Sequence, residues 1–117
     1  MTGLYIGAAY YKLPVVIDGF ISVVAALCAA RLNPLCTGYM FPSHHSYERG
    51  FTLAIAALGM KAPLRLNMRL GEGSGCPLMF AVMDGACAII KKMATFEEAS
   101  ITEEYLDNIK NMTSFKV

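Results

Sequence analysis

At 117 residues the chain has room for one domain or a piece of one. Its net charge is +1, and Arg65, Arg69, Lys91 and Lys92, the nearest approach to a basic cluster, have no aromatic residues interleaved, which argues against nucleic-acid binding. The composition is 56% hydrophobic and 16% charged with a mean hydropathy of +0.46, yet no apolar run reaches the roughly 20 residues of a membrane-spanning helix.

Met1-Thr2-Gly3-Leu4-Tyr5 lacks the basic start of a secretory signal, so a cytoplasmic location is expected. Residues 3 to 12 are small and apolar and end in Tyr10, Tyr11 and Lys12, the tail of a helix that Pro14 stops. Val15-Val16-Ile17 is a β-branched run closed by Asp18-Gly19, the pattern of a buried strand followed by a sharp turn. Phe20 to Leu32 is apolar on every side and bounded by Asn33-Pro34, which predicts a helix sandwiched between other layers. Strand, turn and helix in this order form the repeating unit of a doubly wound α/β sheet.

A second unit follows, with Tyr39-Met40-Phe41 as strand, Pro42 to Ser46 as its exit loop and Glu48 to Met60 as the next helix. Leu64 to Leu70 reads as extended or mixed. Gly71-Glu72-Gly73-Ser74-Gly75 is a glycine-rich loop opening a long helix from about Pro77 to Met93. That segment carries Asp84 and Gly85 within its apolar run, and Asp84 is expected to pair with a neighbour or face a polar seam. The polar residues 97–117 read as a short helix with a frayed tail. The expected fold class is therefore α/β: part of a Rossmann-like parallel sheet flanked by helices over residues 1–96, with a helical C-terminal segment over 97–117. So short and apolar a chain is expected to bury its surface against more protein, either a second subunit or a further N-terminal region.

None of the four cysteines forms a CxxC pair. Cys28 and Cys87 fall in apolar helical runs and read as reduced core residues, and the eight methionines read as core filler.

Three loops carry the candidate chemistry: Asp18-Gly19, Ser43 to Glu48, and Gly71 to Gly75. If the strands run parallel, the first two leave at carboxyl ends, where open α/β sheets place ligands. Glycines on both sides of Glu72 let the backbone approach a ligand and present the carboxylate without steric cover. The helix that follows offers unpaired N–H groups to an anion. The same pattern equally fits a connecting loop with an exposed glutamate. It is neither a Walker loop nor a dinucleotide fingerprint. His44 and His45 are adjacent, so on extended backbone they point to opposite faces, and a polar or hydrogen-bonding role outweighs a shared metal. No nucleophile elbow surrounds Ser43 or Ser46, whose hydroxyls suit a phosphate or a ring nitrogen. Asp18 either contacts a sugar hydroxyl or caps the helix beginning near Phe20, capping being the simpler reading.

Taken together, Pro14-Val15-Val16-Ile17-Asp18-Gly19-Phe20-Ile21-Ser22, Ser43-His44-His45-Ser46 with Glu48, Arg69-Leu70-Gly71-Glu72-Gly73-Ser74-Gly75 and Met93-Ala94-Thr95-Phe96 resemble the nicotinate-nucleotide–dimethylbenzimidazole phosphoribosyltransferases in order and spacing. The resemblance covers residues 1 to about 101. Two departures are Phe51, where the family often has histidine, and Cys76-Pro77 in place of small residues. The resemblance implies transfer of phosphoribosyl from nicotinate mononucleotide to 5,6-dimethylbenzimidazole during assembly of the cobalamin nucleotide loop. It implies Glu72 as catalytic base, a homodimer, and no metal or other cofactor. Substrate contacts are carried over to Asp18, Ser43, Leu70, Gly71 and Gly73. Family members are considerably longer, so this stretch alone is expected to be inactive. The alternatives are a non-catalytic assembly or dimerisation module derived from the family, and a transferase acting on another base.

Overall fold

The computed structural model describes residues 1–69, 71–100 and 107. In chain order it contains α1 (Thr2–Tyr10), β1 (Val15–Ile17), α2 (Phe20–Leu32), a 3₁₀ segment (Pro34–Tyr39), β2 (Met40–Pro42), α3 (Arg49–Ala57) and α4 (Cys76–Lys92). Two compact units divide the chain, Met1–Met83 and Asp84–Val117, with the division falling inside α4.

Local chemistry explains the helix ends. α1 closes with Lys12 in the left-handed region at φ +57°, Lys12 N–H donating to Ala9 and Leu13 N–H to Ala8. These are the paired bonds of a Schellman cap, and Pro14 then bars any continuation. α3 ends the same way at Gly59, φ +69°, with Gly59 N–H on Ala56 and Met60 N–H on Ile55. This glycine is why the helix stops at Ala57, short of the Met60 end expected from hydrophobicity. The stretch after Asn33 was not anticipated as helical. Asn33 accepts from Leu35 N–H through its side chain, and Pro34 starts the 3₁₀ segment.

β1 and β2 pair in parallel, Val15 opposite Met40 and Ile17 opposite Pro42. The pairing continues past β2, where Ser43 N–H donates to Ile17 C=O at 2.9 Å. Leu64 adds one parallel bridge to His44, and it is the part of residues 64–69 that joins the ladder. The fold is thus mixed α/β with a small parallel sheet at its centre.

The core gathers Ile17, Val23, Ala26, Ala29, Met40 and Phe51, all buried. α2 turns Ser22, Val23, Ala26 and Ala29 inward, a helical stripe whose alanines let α1 and α3 come close. A Cβ at Gly50 would run into the Phe20 ring, so glycine lets α3 meet the start of α2 without displacing that ring. α2 is not covered all round, however. Ile21 and Leu32 are 74% and 72% exposed, and Cys28 lies at the surface, because the described residues supply layers on the alanine side only. Cys87 is exposed as well, which corrects the core reading of both thiols.

Met79 is buried at the start of α4, whereas among the described residues Asp84 and those after it in that helix are exposed, so Asp84 faces solvent there. In the second unit Thr95 N–H donates to the Glu98 carboxylate at 2.8 Å and Glu98 N–H to the Thr95 hydroxyl at 3.2 Å. This reciprocal pair is a capping box, the signal for a helix start. Most of the expected C-terminal helix, 101–106 and 108–117, lies outside the described residues. Among the described residues no helix is long and apolar enough to cross a membrane.

Candidate active site

Parallel pairing brings the residues just beyond β1 and β2 to one edge of the sheet. There Asp18 meets His44, whose Nδ1 lies 3.6 Å from Asp18 Oδ1. The same carboxylate reaches the glycine-rich loop. Gly73 N–H donates to Oδ2 at 3.0 Å and Gly75 N–H to Oδ1 at 3.1 Å, across 55 and 57 residues of sequence. Bonds from backbone N–H to a charged acceptor are stronger than neutral ones, so the end of β1 holds the loop firmly.

Asp18 therefore does not cap α2. The first amide of that helix, Phe20 N–H, donates instead to Glu48 at 3.3 Å, and the Ser46 hydroxyl steadies the same oxygen at 3.1 Å. Glu48, which closes the second candidate loop, takes the capping role expected of Asp18. Its signal was the Ser-x-Glu spacing ahead of α3.

Glu72 stands in the left-handed region at φ +62°, followed by Gly73 at +78°. For a residue with a Cβ this costs about 1–2 kcal/mol, which the surrounding contacts must offset. Glu72 is exposed and lines a cleft of about 860 Å³ with Asp18, His44, Glu48, Arg69 and Gly73. Gly71 lines it too, while Leu70 lies outside the described residues. Arg69 lies over the Tyr47 ring, 4.5 Å from its centroid, a cation–π contact that holds positive charge at the rim.

Ser43 is placed differently from expectation. It is fully buried, is not among the lining residues, and donates its hydroxyl proton to Ile17 C=O at 2.8 Å. With that proton committed, its oxygen is left to accept from His44 Nδ1–H at 3.2 Å. Ser43 thus backs His44, its hydroxyl turned into the protein. Nor do Ser43, His44 and Asp18 form a nucleophilic relay. A relay passes through both ring nitrogens, whereas here serine and aspartate address the same one. His45 turns elsewhere, its Nε2 3.3 Å from Thr52 Oγ1 and its ring edge-on to Phe51.

Burial raises the Cys76 thiol above its ordinary value, and the negative charge of Asp18 adds to the shift. Burial also raises the Tyr5 hydroxyl, with Ser22 hydrogen bonding partly opposing it. A raised thiol is protonated at neutral pH and is a poor nucleophile. Alkylation of Cys76, followed by peptide mapping across pH, is expected to reach half its maximal rate above the usual thiol value of about 8.5. A midpoint below that value would contradict the burial of the thiol beside the Asp18 carboxylate.

Residues 1–101 match the model of a phosphoribosyltransferase family. The chain is 60% identical over 111 residues to the nicotinate-nucleotide–dimethylbenzimidazole phosphoribosyltransferase of Clostridium perfringens, covering 95% of this chain and 31% of that protein. The chain belongs to this phosphoribosyltransferase family. A second relative of the same name, from Ruminiclostridium cellulolyticum, is 50% identical over 105 residues, covering 90% of this chain and 30% of that protein. The solved phosphoribosyltransferase of that name from Thermus thermophilus superposes with a TM-score of 0.79 at 36% identity, covering 86% of this chain and 30% of the other. The chain thus spans about a third of the length of the relatives it matches. The stretch that family membership covers includes all three loops of the cleft.

Proposed function

We propose that the chain supplies the base-bearing part of an enzyme that moves phosphoribosyl from nicotinate mononucleotide to 5,6-dimethylbenzimidazole. The observation that carries this reading is the position of Glu72, on a left-handed turn that lines the cleft and tied by its neighbours to Asp18. The names of the relatives supply the substrates.

In this reading the free azole nitrogen attacks the anomeric carbon on the face opposite nicotinate. As the new bond forms, the bond from sugar to pyridinium nitrogen breaks. Its electron pair neutralises the departing ring, and the configuration inverts. The azole N–H proton passes to the Glu72 carboxylate, so no cationic product accumulates. Before reaction the same hydrogen bond holds the azole in its reactive tautomer. General-base help of this kind contributes roughly 10²–10⁴ in rate, and alignment of the two substrates contributes the rest. Arg69, braced on Tyr47, supplies positive charge toward an anionic nucleotide. Asp18, Gly71 and Gly73 shape the wall around it.

β1, β2 and the bridge at Leu64 are then consecutive strands of a Rossmann-like sheet completed by the rest of the enzyme. Assembly as a homodimer in the cytoplasm belongs to the same proposal. The uncovered apolar side chains of α2 and α4 support a need for further polypeptide.

Mixing the chain with the remaining two thirds of the Clostridium perfringens relative is expected to yield nicotinate and α-ribazole phosphate, with neither formed by the chain alone. Turnover by the chain alone, or none from a folded complex, would reject the proposal. A non-catalytic assembly module would bind neither nicotinate mononucleotide nor dimethylbenzimidazole on titration.

A further inference from the structure

We infer that Asp18 is a positioning residue, which acts on the reaction by setting the backbone of the Glu72 loop. The inference rests on the reading of Glu72 as base. Glycines at 71, 73 and 75 give this loop wide conformational freedom, and Glu72, having a Cβ, is disfavoured at φ +62°. Left to itself the loop would relax toward negative φ, and the carboxylate would swing away from the cleft.

What opposes this lies on the next two residues with free amides along the turn. Asp18 accepts Gly73 N–H on one oxygen and Gly75 N–H on the other, so the carboxylate spans the loop immediately after Glu72. Asp18 is itself braced by His44, and His44 by Ser43. Gly75 completes the fit. A Cβ there would strike His44 Nδ1 and come within 2.7 Å of Ser43 Oγ, so only glycine lets the loop settle against this pair. Side chains from the ends of two adjacent parallel strands thus fix a backbone more than fifty residues distant. With both oxygens turned to the loop, Asp18 is arranged to hold protein rather than a sugar.

The test is Asp18→Asn, with two readouts. In the full chain, amide exchange at Gly73 or Gly75 should quicken by about tenfold or more, because one amide then faces an NH₂ group in place of a charged oxygen. In the complete enzyme, kcat should fall by about tenfold or more while the KM for the nucleotide stays within about twofold. The double variant Asp18→Asn/Glu72→Gln should be no slower than Glu72→Gln alone, since both act through one group. Unchanged exchange overturns the anchor. Faster exchange with normal kcat and a raised nucleotide KM overturns the positioning role and makes Asp18 a substrate contact. Normal turnover in Glu72→Gln with fast exchange in Asp18→Asn sinks the base reading and leaves the anchor standing. If Asp18→Asn does not fold, Gly75→Ala, which crowds the same seat from the loop side, must give the same pattern of exchange and kcat. Wild-type values there overturn the proposal.

Discussion

Glu72→Gln in the complete enzyme is expected to lower kcat by roughly 10²–10⁴, with nicotinate mononucleotide bound as tightly as before. Glutamine keeps the length and shape of glutamate and meets the same left-handed backbone cost, so the loop should stay where Asp18 holds it. Its carbonyl oxygen still accepts a hydrogen bond from the azole N–H, and the azole should still bind. What it lacks is a site of sufficient basicity to take the proton as the glycosidic bond forms. An effect confined to kcat marks an interaction made only in the transition state. The measurement is steady-state release of nicotinate at saturating substrates. Turnover within about twofold of wild type would remove Glu72 from the chemistry and leave alignment as the whole of catalysis.

The largest stability loss is expected at Phe51. Its ring is fully buried on α3 and stands edge-on to His45, 5.5 Å between centroids. Phe51→Ala removes that ring from a core with little else to fill the space, and substitutions of this kind cost about 3–5 kcal/mol. The denaturant midpoint of the full chain should fall accordingly, with the slope unchanged. Phe51→Leu keeps most of the volume and should cost much less. A loss below about 1 kcal/mol for the alanine variant would mean that the α3 contact with the β2 exit loop is not a stabilising part of the core. Because the ring packs against His45 of the β2 exit loop, cleft geometry should suffer along with stability.

Some of this architecture is written in short stretches of chain. Val15–Ile17 and Phe20–Leu32 appear where β-branching, Asp18-Gly19 and Asn33-Pro34 place them. α4 begins at Cys76, directly after the glycine loop, one residue before the start expected from Pro77. The 3₁₀ segment was illegible because its start depends on one Asn33 side-chain hydrogen bond, which no periodicity reports. The exposure of Cys28 is hidden in the sequence for a related reason. α2 is apolar on every face, so hydrophobicity cannot say which side turns inward. Packing of its alanine stripe against α1 and α3 makes that choice.

The cleft divides along the same line. Glycine freedom around Glu72 is a property of the residues themselves, and it marks the loop without reference to the fold. The roles of its neighbours were not local. Asp18 beside Gly19 looks like a helix cap, and Ser43 like a ligand donor, because each has that chemistry within a few residues of chain. Parallel register carries Asp18 to the far loop, hands the capping of α2 to Glu48, and turns the Ser43 hydroxyl onto Ile17. Sequence by itself determined where the chain bends and which residues can act. The tertiary structure decided which of them meet, since a hydrogen bond across 55 residues depends on strand pairing and not on any local preference.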